Sequence, residues 1–252
     1  MKKIIGFIGI TLALSAQAQD SSKKIVQITY RTSPVSQYKV NNSNNKSAAD
    51  KALDLELNYA HKRYYTLLVN LQTRASVYRY DSLNFVKPKG REDVQLMLAD
   101  NLSFCSKTDS NVTNKFETLF GRKFYSQGSV GDIEWEITSE KKQLLGFNCT
   151  KAIARDKGLL LTVWYTSEVP ISSGPVNYFG LPGLVVWAED FFRTTQIEKI
   201  AYNNDVVGFE QEMEKYKKDF DENKGSNFLK ERLFMEKKKE LTQSLRQMVG
   251  AQ

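Results

Sequence analysis

Apolar and polar side chains alternate with the two-residue period of a half-buried strand, and this pattern recurs along the chain about every dozen residues. The clearest stretch is 132–137, where Ile133, Trp135 and Ile137 share one face and Glu134 and Glu136 the other. Residues 24–30 read as a first strand, ended by Ser33 and Pro34. Residues 64–71 and 75–80 read as a pair joined across Gln72, Thr73 and Arg74. Residues 147–154 and 159–166 form a hairpin pattern around Asp156 and Gly158, and 184–188 and 194–202 complete the series. Residues 52–60 suit a short helical segment, and 91–100 fit helix or loop equally. Repeated short strands with turn residues between them predict a mainly β (α+β) chain: a curved antiparallel sheet, as an open half-barrel or a sandwich.

The period changes only near the end. Phe209, Met213, Tyr216 and Phe220 follow at steps of four, three and four, which is one face of a helix. Gly225, after Asn223 and Lys224, suits the left-handed position that stops it. Residues 228–248 read as a second helix with Phe234, Leu241, Leu245 and Met248 on one side. The expected organisation is a signal peptide at 1–18, a β-rich domain at 19–206 with a polar loop at 41–50, and C-terminal helices at 207–252.

The signal peptide is read from three features. Lys2 and Lys3 give a positive start, residues 4–15 are mostly apolar, and Ala16-Gln17-Ala18 gives the small-x-small pattern of a cleavage site. About a dozen apolar residues are too few to span a bilayer, which takes roughly 20. No later stretch is long and apolar enough for a transmembrane helix. The chain is therefore expected to be exported, periplasmic or extracellular, with cleavage near Ala18.

Charge and composition narrow the function classes. Without Lys2 and Lys3 the net charge falls from +7 to +5, and the basic residues are scattered. Nucleic-acid binding wants a concentrated basic stripe with aromatic platforms, so no nucleic-acid partner is expected. One His, His61, and two Cys, Cys105 and Cys149, are too few for a tetrahedral zinc site of those residue types alone. No metal and no cofactor is expected. His61 lies in the run His61-Lys62-Arg63, which reads as solvent-exposed rather than catalytic. In an oxidising compartment Cys105 and Cys149 are candidates for a disulfide, worth on the order of 4 kcal/mol in a chain-entropy account. The other reading makes Cys149 a small buried hydrophobe.

One segment stands apart for its turn chemistry. Trp164, Tyr165, Glu168 and Pro170 lead to Gly174 and Pro175, then to Tyr178 and the string Gly180-Leu181-Pro182-Gly183-Leu184-Val185. Leu181 to Leu184 suits a type II turn, with Pro182 presetting φ and Gly183 accepting a positive one. The segment resembles the GLPGLI family of exported bacterial envelope proteins. Leu145 to Ala152, containing Gly146, Phe147, Cys149, Lys151 and Ala152, is similar to that family's "GY-x-C-x-KA" strand, and 163–170 to its "WYT-x-EIP" strand and turn. The resemblance implies secretion and a β-rich fold, and it brings no established activity and no catalytic residues.

Three functions compete on this reading. A non-catalytic envelope binding or accessory protein would use an apolar cleft near Trp164, Tyr165, Tyr178, Phe179 and Trp187, with Glu168 as a polar fixture. Its partner would be an envelope protein or an apolar small molecule or peptide. The bland alternative makes these aromatics core filling. A hydrolase would need two carboxylates among Glu134, Glu136, Glu168, Glu189 and Asp190 to converge. An interaction protein would work through the C-terminal helices. The first is favoured, with no catalytic residue proposed.

Overall fold

A computed structural model describes residues 23–34, 62–84, 101–119, 122–156, 159–190, 193–237 and 240. The expected signal peptide, the polar loop at 41–50, the helical segment at 52–60, His61, residues 91–100 and the tail from 241 lie outside the described residues.

The strands are β1 (Ile25–Pro34), β2 (Lys62–Asn70), β3 (Ser76–Asn84), β4 (Asn101–Lys107), β5 (Val112–Leu119), β6 (Arg122–Ser129), β7 (Glu136–Leu144), β8 (Phe147–Asp156), β9 (Leu159–Thr166), β10 (Leu184–Glu189), β11 (Arg193–Asn203) and β12 (Phe228–Lys230). They form one open sheet in the order β12-β6-β5-β4-β3-β2-β1-β11-β10-β9-β8-β7. Two meanders are therefore sewn together at the β1–β11 seam: β1 steps outward to β6, and β7 steps back inward to β11. Every pairing is antiparallel except β12 on β6.

The passage between the meanders sets the shape. β6 and β7 lie ten strand positions apart in the sheet order. At about 4.8 Å per strand, a flat sheet would separate them by roughly 48 Å. The chain crosses from Ser129 to Glu136, a run of seven peptide steps that reaches at most about 25 Å when fully extended. The sheet must curl to bring its two ends together. A short 3-10 turn, Val130–Asp132, starts this crossing. Here the sequence pattern misled: 132–137 alternates perfectly, yet only its end enters β7, and Ile137 is exposed. Ile133 and Trp135 spend their apolar surface inside the curl, against a cluster containing Tyr178 and Leu181.

Alternation along the central strands separates two apolar layers. Val26, Ile28 and Tyr30 of β1, with Tyr65, Leu67 and Val69 of β2, join Phe147, Cys149, Trp164, Phe179, Leu184 and Val186 in the main core. Ile25, Val77, Phe116 and Tyr125 face the other way and are covered by helix α1 (Val206–Asn223). Phe209 and Phe220 are the buried anchors of α1, with Met213 and Tyr216 partly buried beside them. Asp205 caps the helix by accepting from the Gly208 N–H at 2.9 Å. The second C-terminal helix starts later than its sequence suggests. Phe228, Leu229 and Lys230 pair with Tyr125, Ser126 and Gln127 as β12, and the helix occupies 231–237. An open edge on β6 offers ladder partners that a helix at 228–230 would waste.

Arg63, expected at the surface, is buried in β2. The Cys105–Cys149 disulfide is not formed: Cys149 is a free, buried thiol. The backbone of Cys105 lies on β4, with six strands between it and β8 in the sheet order.

The β7–β8 hairpin turns through Leu145 and Gly146, both at positive φ (51° and 87°). That is the geometry of a type I′ turn, where Asn precedes Gly at least steric cost. Leu145 is partly exposed, so Leu145→Asn is expected to raise unfolding free energy by about 0.5–1 kcal/mol. Urea denaturation at an unchanged m-value checks this.

Candidate functional site

Between Thr166 and Leu184, themselves paired across β9 and β10, the chain leaves the sheet and fills the inside of the curl. Ile171 and Phe179 are buried in the main core, while Tyr178 and Leu181 are buried in the neighbouring cluster. Polar contacts fasten this plug on several sides. The Trp135 indole N–H donates to the Phe179 carbonyl at 2.7 Å. The Lys107 ammonium lies 6.0 Å from the Phe179 ring centre and donates to the Arg74 carbonyl. Val185 N–H donates to the Ser173 carbonyl at 3.0 Å.

Its glycines have distinct duties. Gly180 sits at φ +92°, the left-handed region. Gly183 has no positive φ, which corrects the type II turn expected at 181–184. It is required instead by close approach, since a Cβ there would lie 2.1 Å from the Thr166 carbonyl oxygen. The Pro175–Tyr178 turn carries Val176 at φ +60°, a strained position for a β-branched residue. That turn presents Asn177 and Tyr178 to a group of buried charges.

The charges come from distant parts of the sequence. Lys115 and Glu117 alternate with Phe116 on β5, so both point inward when Phe116 faces α1; their side chains are 3% and 2% exposed. Lys115 Nζ lies 2.5 Å from Glu231 Oε1, at the start of the C-terminal helix, and 3.9 Å from Glu117 Oε2. Ser126, directly opposite Lys115 on β6, donates to Glu231 Oε2 at 2.6 Å. Asn177 Nδ2 donates to Glu231 Oε1 at 3.3 Å. Ammonium, hydroxyl and amide together make a three-donor seat for one carboxylate. Gly128 opens space for it, since a Cβ there would lie 2.7 Å from Glu231 Cβ.

Arg193 extends the group, reaching Glu117 at 3.9 Å and Asp190 at 3.7 Å. The Tyr178 hydroxyl donates to Asp190 Oδ2 at 3.5 Å. Burial, and next the charge of Asp190, hold the Tyr178 phenol well above its usual range. Burial also raises Tyr65, with Arg193 and Arg63 pulling it partly back. Both stay protonated at neutral pH. Among the described residues no group of three or more His, Cys, Asp or Glu side chains is placed to hold a metal ion.

The residues singled out from sequence are distributed as follows. Trp164, Tyr165, Tyr178 and Phe179 are buried, and Trp187 is half-buried. Trp164, Phe179 and Trp187 belong to the main core, Tyr165 and Tyr178 to its neighbour. Lys142 lies 4.0 Å from the Trp164 ring centre and 5.7 Å from that of Trp187. Glu168 is exposed and accepts from the Asn148 backbone and side-chain amides at 2.9 and 2.8 Å. Gly174, Pro175, Leu181, Gly183 and Leu184 are buried, and Gly180 and Pro182 exposed. Of the five acids considered for hydrolysis, Glu134, Glu136 and Glu168 are exposed, Glu189 is half-buried, and Asp190 joins the charged group. Lys115, Glu117, Ser126, Asn177, Arg193 and Glu231 carried no motif that would have marked them.

A family model described as "Protein of unknown function (Porph_ging)" matches residues 154–187. No curated protein matches the chain. Two crystal structures of PNGF-II are similar, at TM-scores of 0.44 and 0.43 with 17% and 16% identity. The similarity covers 82% and 73% of this chain but 31% and 29% of theirs, so the chain spans less than a third of PNGF-II's length. An uncharacterized conserved protein from Thermus thermophilus is similar at TM-score 0.35 and 8% identity, over 83% of this chain and 91% of that one.

Two outcomes follow. Gly183→Ala drives a methyl group into backbone rather than into a movable side chain, so a loss of roughly 3 kcal/mol in unfolding free energy is expected. Gly131→Ala, where the added Cβ would meet only Ser129 Oγ at an ordinary 4.0 Å, serves as the neutral control. Burial, reinforced by Glu168, pushes the Cys149 thiol from 9.0 up to about 11. A thiol harder to ionise when folded contributes stability below pH 9, and that contribution fades as pH rises through 11. Thermal melts of Cys149→Ala should therefore decline less steeply than wild type between those values.

Proposed function

We propose that this chain is an exported, GLPGLI-type envelope protein that works by binding or positioning a partner, without bond chemistry of its own. The observation that carries this reading is the seat formed by Lys115, Ser126 and Asn177, which holds the Glu231 carboxylate by three polar contacts inside the curled sheet. Such a seat is built for recognition: its donors are fixed by β5, β6 and the Gly-Pro plug, and buried charge discriminates sharply against a ligand that lacks the matching group. Export is supported by the positive start, apolar run and small-x-small pattern of residues 1–18. Among the described residues no helix is long and apolar enough to cross a membrane.

Cell fractionation followed by N-terminal sequencing tests the location. The extracytoplasmic fraction should yield a chain beginning at Gln19, and an uncleaved chain held in the cytoplasm would count against export. Immobilised protein incubated with envelope extracts tests the role. Captured material should keep its mass, and fragments whose release disappears in Asp190→Asn would replace this reading with a hydrolase.

A further inference from the structure

We infer that the β6 edge and the carboxylate seat beside it form a peptide-docking site. Residues 228–234 of the chain occupy it as an internal ligand. They exchange there with a segment of a partner protein that pairs as a short strand and then turns into a helix, with an acidic side chain at the helix start three residues before an aromatic one. The inference rests on the binding reading above and gives that reading its ligand.

The internal segment is attached as a docked peptide is. Phe228, Leu229 and Lys230 add a short parallel strand to β6, an edge that would otherwise present unpaired backbone groups. In strand addition the backbone ladder supplies affinity and side-chain pockets supply specificity. Two pockets flank this edge. Glu231 enters the Lys115–Ser126–Asn177 seat. One helical turn later Phe234, fully buried, meets Phe124 with ring centres 6.2 Å apart. The Lys115 ammonium lies 4.6 Å from the Phe234 ring centre. A single buried lysine thus reads both the charge and the ring, which fixes their spacing in any ligand.

The attachment is also built to release. α1 ends at Asn223, and 224–227 carry the chain to β12. Gly225 lies at φ +29° with nothing within 4 Å of where its Cβ would be, so this joint carries no side-chain packing of its own. The ladder beyond it is three residues long. The seat, in contrast, is held on both sides by β5, β6 and the plug. Withdrawing Glu231 removes the 2.5 Å contact of Lys115, and the nearby Glu117 carboxylate at 3.9 Å is one that Arg193 also approaches at 3.9 Å. A buried ammonium so placed strongly favours a replacement carboxylate over an apolar group.

Two measurements on the full-length chain decide the matter. In hydrogen exchange of the wild type, amides of 228–237 should exchange through a local opening while β5 and β6 stay protected. Equal protection of all three would overturn the proposal, since the segment would then open only with the whole fold. For docking, a fluorescent peptide of residues 226–240 is titrated against Glu231→Ala/Phe234→Ala protein. It should bind this variant at least about thirtyfold tighter than it binds wild type. A Glu231→Gln peptide should lose about as much on the variant. Failure of the peptide to bind a variant with native circular dichroism, or a variant that does not fold, would each overturn the proposal. So would a wild-type dimer in light scattering with 228–234 exchanged between copies, because the occupant would then be a second copy. None of these failures removes capture of envelope material by the intact protein, so the broader reading falls or stands separately.

Discussion

Lys115 and Glu231 meet 2.5 Å apart inside the curled sheet, each almost wholly buried. Removing either charge from water costs several kcal/mol, and the mutual attraction offsets this only if the remaining hydrogen-bonding positions are also filled. Ser126 and Asn177 fill two of them on Glu231. Arg193, Glu117 and Asp190 continue the arrangement toward β11. The result ties four stretches that the ladder alone leaves loosely related: β5 with β6, the start of β11, the Gly-Pro plug and the C-terminal segment. Lys115, Glu117 and Arg193 offset one another from fixed strands, and Glu231 completes the set from the C-terminal segment.

That set depends on the curl, and the curl on a short piece of chain. Seven peptide steps between β6 and β7 forbid a flat sheet, and once the ends approach, the space between them must be filled. The plug does this with Ile171 and Phe179 on one side and Tyr178 and Leu181 on the other. Its fit to β9 and β10 requires Gly183 against the Thr166 carbonyl, and Gly174 against Val185, whose Cβ would lie 2.7 Å from an added Cβ. Strain at Val176 is the cost of turning Asn177 and Tyr178 toward the charges, on the order of 1–3 kcal/mol for a residue in that region.

The strands differed in how well their sequence announced them. In β8 to β11 apolar side chains alternate or run continuously, and all four strands were legible, as was the face of α1. β4, β5 and β6 were not. β4 buries Ser106 and Lys107, and the inward positions of β5 and β6 hold Thr113, Lys115, Glu117 and Ser126, all buried, so the apolar period that marks a half-buried strand is absent. Buried charge is invisible to a pattern that equates charge with solvent, and the same blindness put Arg63 on the surface. The pattern also erred in the opposite sense at 132–137, where perfect alternation belongs to a crossing that tucks Ile133 and Trp135 inside. Phe228–Lys230 was mistaken for helix because strand pairing with β6 is a tertiary fact. The candidate aromatics were found by type, yet their shared neighbourhood is the core, and the charged seat beside them left no local signature.

This asymmetry bears on where function resides. An apolar layer such as Val163, Val185 and Ala188 contributes stability from nearly any sequence of suitable volume. Lys115, Glu117 and Glu231 are a poor choice for that purpose, because an apolar set of equal size would serve stability as well or better. What buried charge adds is selectivity: it accepts one complementary group and rejects the rest. On the proposed binding reading, the stretch that discriminates is β5 and β6, whose inward positions carry charge and leave no apolar period, while the legible strands are the scaffold around them.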